Sequence, residues 1–205
     1  MNHDLYIFGS AVRGEVSATS DIDVLVVPFS GAADSYPNSW SVYSAEIIRS
    51  YYQAGRLFAW HLYLESKCIF SANEMPFLSS LGSPEKYTSG AQDIEDLREL
   101  LLQALNEIGA GSNSLIYELG IAYTAIRDIA MVASWSLMDG PCFSRKAPYL
   151  IPVRCPLPEN IYQAAMLARH VSTRGVETDA NFEAASEALL DAPLIDWIDK
   201  IRSKL

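Results

Sequence analysis

The chain has 205 residues, of which 50% are hydrophobic and 20% are charged, a composition typical of one or two globular domains with their own cores. Its 15 basic and 25 acidic residues give a formal net charge of -10. Because a protein that holds nucleic acid through its phosphates needs a surface rich in lysine and arginine, this charge argues against an extended nucleic-acid interface.

The cysteines and the N-terminus predict a cytoplasmic protein. Cys68, Cys142 and Cys155 are odd in number and form no C-x-x-C pair, so neither a disulfide framework nor a zinc site is expected. The chain begins without a charged-then-apolar signal segment, and no apolar run approaches the ~18 residues that span a bilayer. We therefore expect reduced thiols and no membrane partner.

Residues 5 to 84 combine strand-like and helical stretches. Apolar runs rich in β-branched and aromatic residues, separated by turn residues, predict strands at 5–8, 21–27, 57–64 and 67–70. A short helix is predicted after Gly9-Ser10, and apolar residues at helical spacing predict another over 39–54. The pattern indicates a small domain built on a mixed sheet.

From about residue 85 onward the pattern changes to long helices joined by short loops. Helices are predicted over 92–108, 115–138, 158–171 and 179–204, the last of them interrupted at Pro193. A proline-rich connection over 139–158 joins the second helix to the third. The predicted fold class is therefore α+β, with a mixed-sheet domain over 1–84 and an all-α four-helix bundle over 85–205.

The stretch over 5–27 carries the strongest chemical pattern: a strand, a Gly-Ser turn, a short helix and a strand that begins Asp-Ile-Asp. Gly9 permits a tight turn, and Ser10 opens a helix whose unpaired N–H groups favour phosphate oxygens. Asp21 and Asp23 lie two apart, so on a strand both carboxylates point to one face. Such a pair beside a phosphate-binding turn suits Mg²⁺, which takes one or two carboxylates together with substrate phosphates.

This order of an apolar residue, Gly-Ser, ten residues and Asp-apolar-Asp resembles the signature of the DNA-polymerase-β-like nucleotidyltransferases. Arg13-Gly14 and Ser20-Asp21 make it similar to the minimal nucleotidyltransferases within that superfamily. The resemblance implies transfer of NMP from an NTP, ATP in the first place, to a hydroxyl of a small molecule or a protein side chain, with release of pyrophosphate.

The same resemblance implies a cofactor and a set of site residues. Asp21 and Asp23 are expected to hold Mg²⁺ or Mn²⁺ and to act in catalysis. The nucleotide is expected to contact residues in the short helix and in the segments next to it: Gly9, Ser10, Arg13 and Ser20.

A third carboxylate, which family members carry on a neighbouring strand, has no clear equivalent. The predicted strand over 57–64 has no Asp in its middle, and alternation places His61, Tyr63 and Glu65 on one face. Glu65 is a candidate third catalytic carboxylate and metal ligand, since it supplies the missing negative charge. His61 is the other candidate, as a general base or a ligand. If neither completes the site, the chain is a non-catalytic binding or antitoxin-like protein that retains the nucleotidyltransferase fold.

The helical half resembles the HEPN-like partner domain of such proteins. HEPN ribonucleases carry an Arg, a polar residue and a later His on one helix; the stretch 127–134 lacks the His, so ribonuclease activity is not expected. Arg127 and Asp128 lie among apolar neighbours, which requires an internal salt bridge or a cleft contact. Five more of the eleven basic residues of this half would form an anion-receiving surface if they converge: Arg145, Lys146, Arg154, Arg169 and Arg174. The oligomeric state, a homodimer included, stays open.

Overall fold

A computed structural model describes residues 2–16, 22–29 and 36–205. The chain divides into two compact units, Met1–Ser89 and Gly90–Leu205, which we call the N-terminal and the helical unit. A small mixed sheet lies in the first, and helices make up the second. The predicted α+β fold class is therefore confirmed.

The sheet of the N-terminal unit has four strands in the described part of the chain. These are β1 (His3–Phe8), β2 (Asp23–Pro28), β3 (Ser41–Val42) and β4 (Ser66–Phe70). They lie in the order β3-β2-β1-β4, with β1 antiparallel to β2 and to β4, and β2 parallel to β3. The central pair β1–β2 is the strand pair of the Gly-Ser motif, so the motif builds the middle of the sheet.

Helices cover one face of this sheet. They are α2 (Ala45–Gln53), α3 (Leu57–Glu65) and α4 (Phe77–Leu81), whereas the short α1 (Ser10–Arg13) follows β1 and buries no side chain. Alternate residues of β1 and β2 point to this face because the side-chain period of a strand is two. The resulting core joins the sheet to the helices through buried side chains, among them Tyr6, Phe8, Leu25, Val27, Ile48, Tyr52 and Leu62.

The strand predicted over 57–64 is wrong, because these residues form helix α3. Ala59 and Leu62 are fully buried, a spacing of three that belongs to a helix, and Phe58 packs against the same core. The indole N–H of Trp60 donates to the carbonyl of Glu85 at 3.0 Å. A continuous apolar run fits either element by periodicity alone, and packing against the sheet decides it here.

The helix predicted over 39–54 begins later than expected. Ser41–Val42 instead forms β3 beside β2. Ser44 ends this extended segment as an N-cap, since its hydroxyl accepts a hydrogen bond from the Ile47 N–H at 3.3 Å. Helix α2 therefore starts at Ala45.

Asp4 is a fully buried carboxylate that ties β1 to the segment after β4. Its Oδ1 accepts hydrogen bonds from the Ser71 hydroxyl at 2.9 Å and the Ala72 N–H at 3.0 Å. Its Oδ2 accepts them from the Tyr6 hydroxyl at 2.9 Å and the Phe77 N–H at 2.6 Å. These donors occupy both oxygens, so Asp4 serves the fold and holds the start of α4 against the sheet.

The helical unit consists of longer helices and one short turn of helix. Its elements are α5 (Gly90–Gly109), α6 (Leu115–Leu137), α7 (Ala147–Leu150), α8 (Glu159–Arg174), α9 (Phe182–Asp191) and α10 (Leu194–Arg202). The interruption predicted at Pro193 separates α9 from α10. Helix α6 is the central element, since it packs against both α5 and α8. Within the described ranges no helix is long and apolar enough to cross a membrane.

Candidate functional site

The candidate site lies where three strands end side by side. Phe8, the last residue of β1, is paired with Asp23 at the start of β2 and with Ser66 at the start of β4. Neighbouring strands lie about 4.8 Å apart, so the three positions span about 10 Å. Directly opposed residues of an antiparallel pair point to the same face, which places the Asp23 side chain on the face that carries Phe8.

Gly9 lets the Asp23 carboxylate pack against the backbone. Its φ of 69° lies in the left-handed region, which glycine adopts without strain. A Cβ added to Gly9 would lie 2.7 Å from Oδ2 of Asp23, well inside van der Waals contact. Any other residue at this position would therefore displace the carboxylate and strain the turn. The acidic group lies directly beside the Gly9-Ser10 turn.

Helix α1, which follows this turn, is a single turn long. The Gly9 carbonyl accepts hydrogen bonds from the N–H groups of Val12 at 3.1 Å and Arg13 at 3.2 Å, and Gly14 ends the turn with a φ of 74°. So short a helix sums few peptide dipoles, so a phosphate here would rely on local N–H groups and the Ser10 hydroxyl rather than on a macrodipole.

Glu65, the last residue of α3, pairs with two basic side chains. Its Oε2 forms an ion pair with Nη1 of Arg13, and Nε2 of His61 lies 3.1 Å from the same oxygen. His61 and Glu65 are four residues apart on a helix and therefore share a face. Nε of Arg13 also lies 3.1 Å from Oε2 of Glu15. We call Arg13, Glu15, His61 and Glu65 the N-terminal charged cluster.

The surroundings of Glu65 keep its carboxyl group ionised. Burial, the largest influence, would raise the pKa of Glu65, but the contacts with His61 and Arg13 and their charges outweigh it and lower the pKa below its ordinary value of 4.5. The ring of His61 packs edge-on against that of Phe8, with centroids 5.6 Å apart. This contact connects the charged cluster to the end of β1, next to Gly9.

The structure brings several predicted site residues together. Arg13, His61 and Glu65 meet in one cluster, while Asp23 packs against Gly9. The predicted face shared by His61, Tyr63 and Glu65 does not exist, because α3 is a helix: the Tyr63 side chain is 46% exposed and its ring contacts Trp60 instead.

Two predicted site residues, Ser20 and Asp21, lie outside the residues that the structure describes. Within the described ranges there is no group of three His, Cys, Asp or Glu side chains that could hold a metal ion. Asp23 nevertheless fits a divalent cation by the chemistry of its donors, since Mg²⁺ prefers carboxylate oxygens and needs only one or two of them when substrate phosphates contribute the rest. Glu65 already faces the cationic group of Arg13.

The pairing of Arg13 with Glu65 was not predicted from the sequence. The two residues are 52 positions apart, and no local pattern connects them. The contact between His61 and Glu65 could have been predicted from the sequence, because the two residues have the i, i+4 spacing of a helical ion pair. That signal is meaningful only if residues 57–65 are taken as a helix.

Residues 2–32 match the family model of a nucleotidyltransferase domain. The matched part contains β1, the Gly9-Ser10 turn, α1 and β2, which are the elements that build the candidate site. The match supports nucleotidyl transfer in general. A search of curated proteins finds none that matches the chain. The comparison does not reach the helical unit, so its HEPN-like character stays a prediction.

Proposed function

We propose that the N-terminal unit catalyses metal-dependent transfer of NMP from an NTP, ATP in the first place, to a hydroxyl of a small molecule or a protein side chain. One observation carries the proposal: the Asp23 carboxylate packs against Gly9 within the segment that matches a nucleotidyltransferase domain. The chain's net charge of -10 favours a small or protein acceptor over a nucleic acid.

In the proposed reaction, the acceptor oxygen forms a bond to the α-phosphorus of the nucleotide. The bond from that phosphorus to the bridging oxygen breaks, and pyrophosphate leaves with the electron pair. The acceptor hydroxyl gives its proton to a solvent base. The protein forms no covalent bond in this step. Catalysis therefore depends on positioning the acceptor and the nucleotide and on compensating the negative charge of the phosphates.

Asp23, together with Asp21, is proposed to hold Mg²⁺ or Mn²⁺. When bound, such a cation supplies charge compensation for phosphate oxygens and orients the nucleotide. The protein holds the Asp23 carboxylate at the start of β2, beside Gly9, which has no side chain to displace it. Ser10, the next residue, offers a hydroxyl and a backbone N–H to phosphate oxygens.

Arg13 is proposed to contact the nucleotide phosphates, with Glu65 and His61 as its positioning residues. Glu65 holds the guanidinium from α3, and His61 lies against the same carboxylate oxygen. An arginine that is already oriented loses less side-chain entropy on binding. This arrangement favours a supporting role for Glu65 and His61 over their alternatives as third metal ligand and general base.

Two glycines of one turn supply a matched pair of variants to test the proposal. Gly9 and Gly14 have φ values of 69° and 74°, so alanine strains the backbone at both positions, by about 1 kcal/mol at the left-handed helical Gly14 and by more at Gly9, whose ψ is -139°. At Gly9 the new Cβ would meet Asp23, whereas at Gly14 it would meet nothing within 4 Å. Gly9→Ala is therefore expected to weaken Mg²⁺-dependent ATP binding by about tenfold or more, and Gly14→Ala to leave it unchanged.

Calorimetric titration with ATP, in Mg²⁺ and in EDTA, measures this binding, and ATP labelled at the α-phosphorus measures transfer to a panel of hydroxylated acceptors and proteins. Binding that ignores both Mg²⁺ and Gly9→Ala would contradict the proposed site. Mg²⁺-dependent binding without transfer of label to any acceptor would instead favour the non-catalytic, antitoxin-like alternative.

A further inference from the structure

Helices α6 and α8 of the helical unit approach each other closely at a glycine. A Cβ added to Gly120 of α6 would lie only 3.0 Å from Cα of Arg169 on α8. Thr124, Arg127 and Asp128 follow Gly120 at helical spacing and therefore share its side of α6. The close approach brings polar and charged groups of two long helices together.

Arg169 has no carboxylate of its own in this arrangement. Its Nη1 donates a hydrogen bond to Oγ1 of Thr124 at 3.0 Å, and with the residues that the structure describes it forms no ion pair. Burial lowers the pKa of Arg169, and the positive charge of Arg127 lowers it further. A partly buried guanidinium whose acceptor is a neutral hydroxyl lacks charge compensation.

Arg127 has its carboxylate, but most of its donors remain available. Its Nε donates to Oδ1 of Asp128 at 2.7 Å, and its guanidinium lies over the ring of Tyr123, 5.7 Å from the centroid. The two terminal amino groups of Arg127 have no acceptor among the described residues. The side chain is 27% exposed, so a ligand can reach it from solvent.

We call Thr124, Arg127, Asp128 and Arg169 the helical charged cluster, which contains two guanidinium groups and one carboxylate, that of Asp128, paired with Arg127. We infer that this cluster binds a phosphate-type oxyanion between Arg127 and Arg169. An oxyanion would compensate the charge of Arg169 and accept charge-assisted hydrogen bonds from the free amino groups of both arginines. The inference goes beyond the proposed nucleotidyl transfer and does not depend on it.

The arrangement favours a tetrahedral oxyanion over a carboxylate. A carboxylate presents two oxygens in one plane, which suits a single guanidinium fork. Arg127 and Arg169 extend from two different helices, so an anion between them needs oxygens that point in more than one direction. Phosphate provides such oxygens.

Calorimetric titration of the full chain with inorganic phosphate, in EDTA and at constant ionic strength, tests the inference. Arg169→Gln, which keeps a donor for Thr124 but removes the charge, is expected to raise the phosphate Kd about tenfold or more. Arg202→Gln is the matched control in the same unit, because Nη1 of Arg202 lies 3.1 Å from Oε2 of Glu95 and its charge is already compensated. We expect the control to bind phosphate like the wild type.

Additional variants and a second anion distinguish the ways in which the phosphate titration could contradict the inference. Arg169→Lys keeps the charge but loses the fork, and is expected to fold normally and to bind with intermediate Kd. Lys86→Gln, at an exposed lysine of the other unit, should bind phosphate like the wild type whether or not the proposed transfer reaction exists. Wild-type protein that does not bind phosphate, acetate that binds equally well, or equal Kd values for Arg169→Gln and Arg202→Gln would each overturn the inference.

Discussion

The two units of the chain each contain a half-buried charged cluster, and the two clusters have opposite compositions. In the N-terminal charged cluster, the carboxylates of Glu15 and Glu65 both contact Arg13. In the helical charged cluster, the one carboxylate pairs with Arg127, and Arg169 has only the hydroxyl of Thr124. The carboxylates of the first cluster hold Arg13 in place, whereas the surplus of guanidinium in the second favours an anion from outside the chain.

This difference shows why the net charge of the whole chain does not predict the charge of its individual binding sites. The net charge of -10 argues against a large phosphate-binding surface. It does not exclude a local cationic site, because two guanidinium groups of which one lowers the pKa of the other, as Arg127 does that of Arg169, dominate the potential around them. The comparison predicts that removing a carboxylate has different consequences in the two units.

The largest effect is expected for Asp23→Asn. Loss of a carboxylate that holds the cation should lower nucleotidyl transfer on the order of 10³-fold, because the cation supplies several kcal/mol of charge stabilisation. The melting temperature should change little, since Asn has the shape of Asp and can pack against Gly9 in the same way. Transfer from labelled ATP and thermal unfolding measure the two effects. A large fall in melting temperature with transfer unchanged would make Asp23 a structural residue and break the comparison.

Asp4→Asn sharpens the comparison within the N-terminal unit. The Asn side chain keeps one acceptor oxygen and replaces the other with an NH₂ group. In the wild type the Phe77 N–H and the Tyr6 hydroxyl donate to that second oxygen, so in the variant donors would face donors. We expect the free energy of unfolding to fall by about 3 kcal/mol, because buried donors lose their partner. Urea denaturation measures the change. A variant as stable as the wild type would mean that this carboxylate does not hold α4 to the sheet.

Asp128→Asn removes the one carboxylate of the helical charged cluster and so tests the role of its surplus positive charge. Arg127 and Arg169 would then face each other without a carboxylate, so the free energy of unfolding should fall on the order of 1 kcal/mol. Phosphate should bind about threefold more tightly, since the carboxylate no longer repels it. Urea denaturation with and without phosphate gives both quantities. Weaker phosphate binding would indicate that Asp128 orients Arg127 for the anion, contrary to the charge argument.

The smallest expected effect is the pH dependence of the Glu65 contacts. Because the folded-state pKa of Glu65 lies below its ordinary value of 4.5, its contribution to stability is present above that value and is lost as the pH falls through the folded-state pKa. Glu65→Gln should therefore be less stable than the wild type by about 1 kcal/mol near pH 7, and the difference should be smaller at an acidic pH well below 4.5. Melting temperatures at both pH values check this. A constant difference would mean that packing, not charge, holds Glu65.

Parts of the fold whose contacts are local could be read from the sequence. Alternating apolar residues and a Gly-Ser turn predict β1, α1 and β2, and residues at helical spacing predict α5, α6 and α8. The same reasoning is wrong for α3, because its nine residues include seven apolar ones, so neither period stands out. The error also misplaces Tyr63, whose side chain is exposed.

The candidate site could be predicted in part for the same physical reason. Gly9 and Asp23 belong to one strand–turn–strand motif, so their spacing along the chain constrains their spacing in the fold. Arg13 and Glu65 are brought together only by the packing of α3 on the sheet.

The amino-acid sequence by itself therefore determined the α+β class and the glycine and acidic residues of the motif, because these follow from short-range periodicity and turn chemistry. Only the tertiary structure decided what each charged group faces. Asp4 and Asp23 are both acidic residues of central strands, yet one is enclosed by hydrogen-bond donors and the other packs on a glycine. Arg169 reaches the hydroxyl of Thr124 and no carboxylate, because α8 approaches α6 at Gly120, one helical turn from Thr124. Charge compensation depends on distances across the fold, which spacing along the chain does not encode.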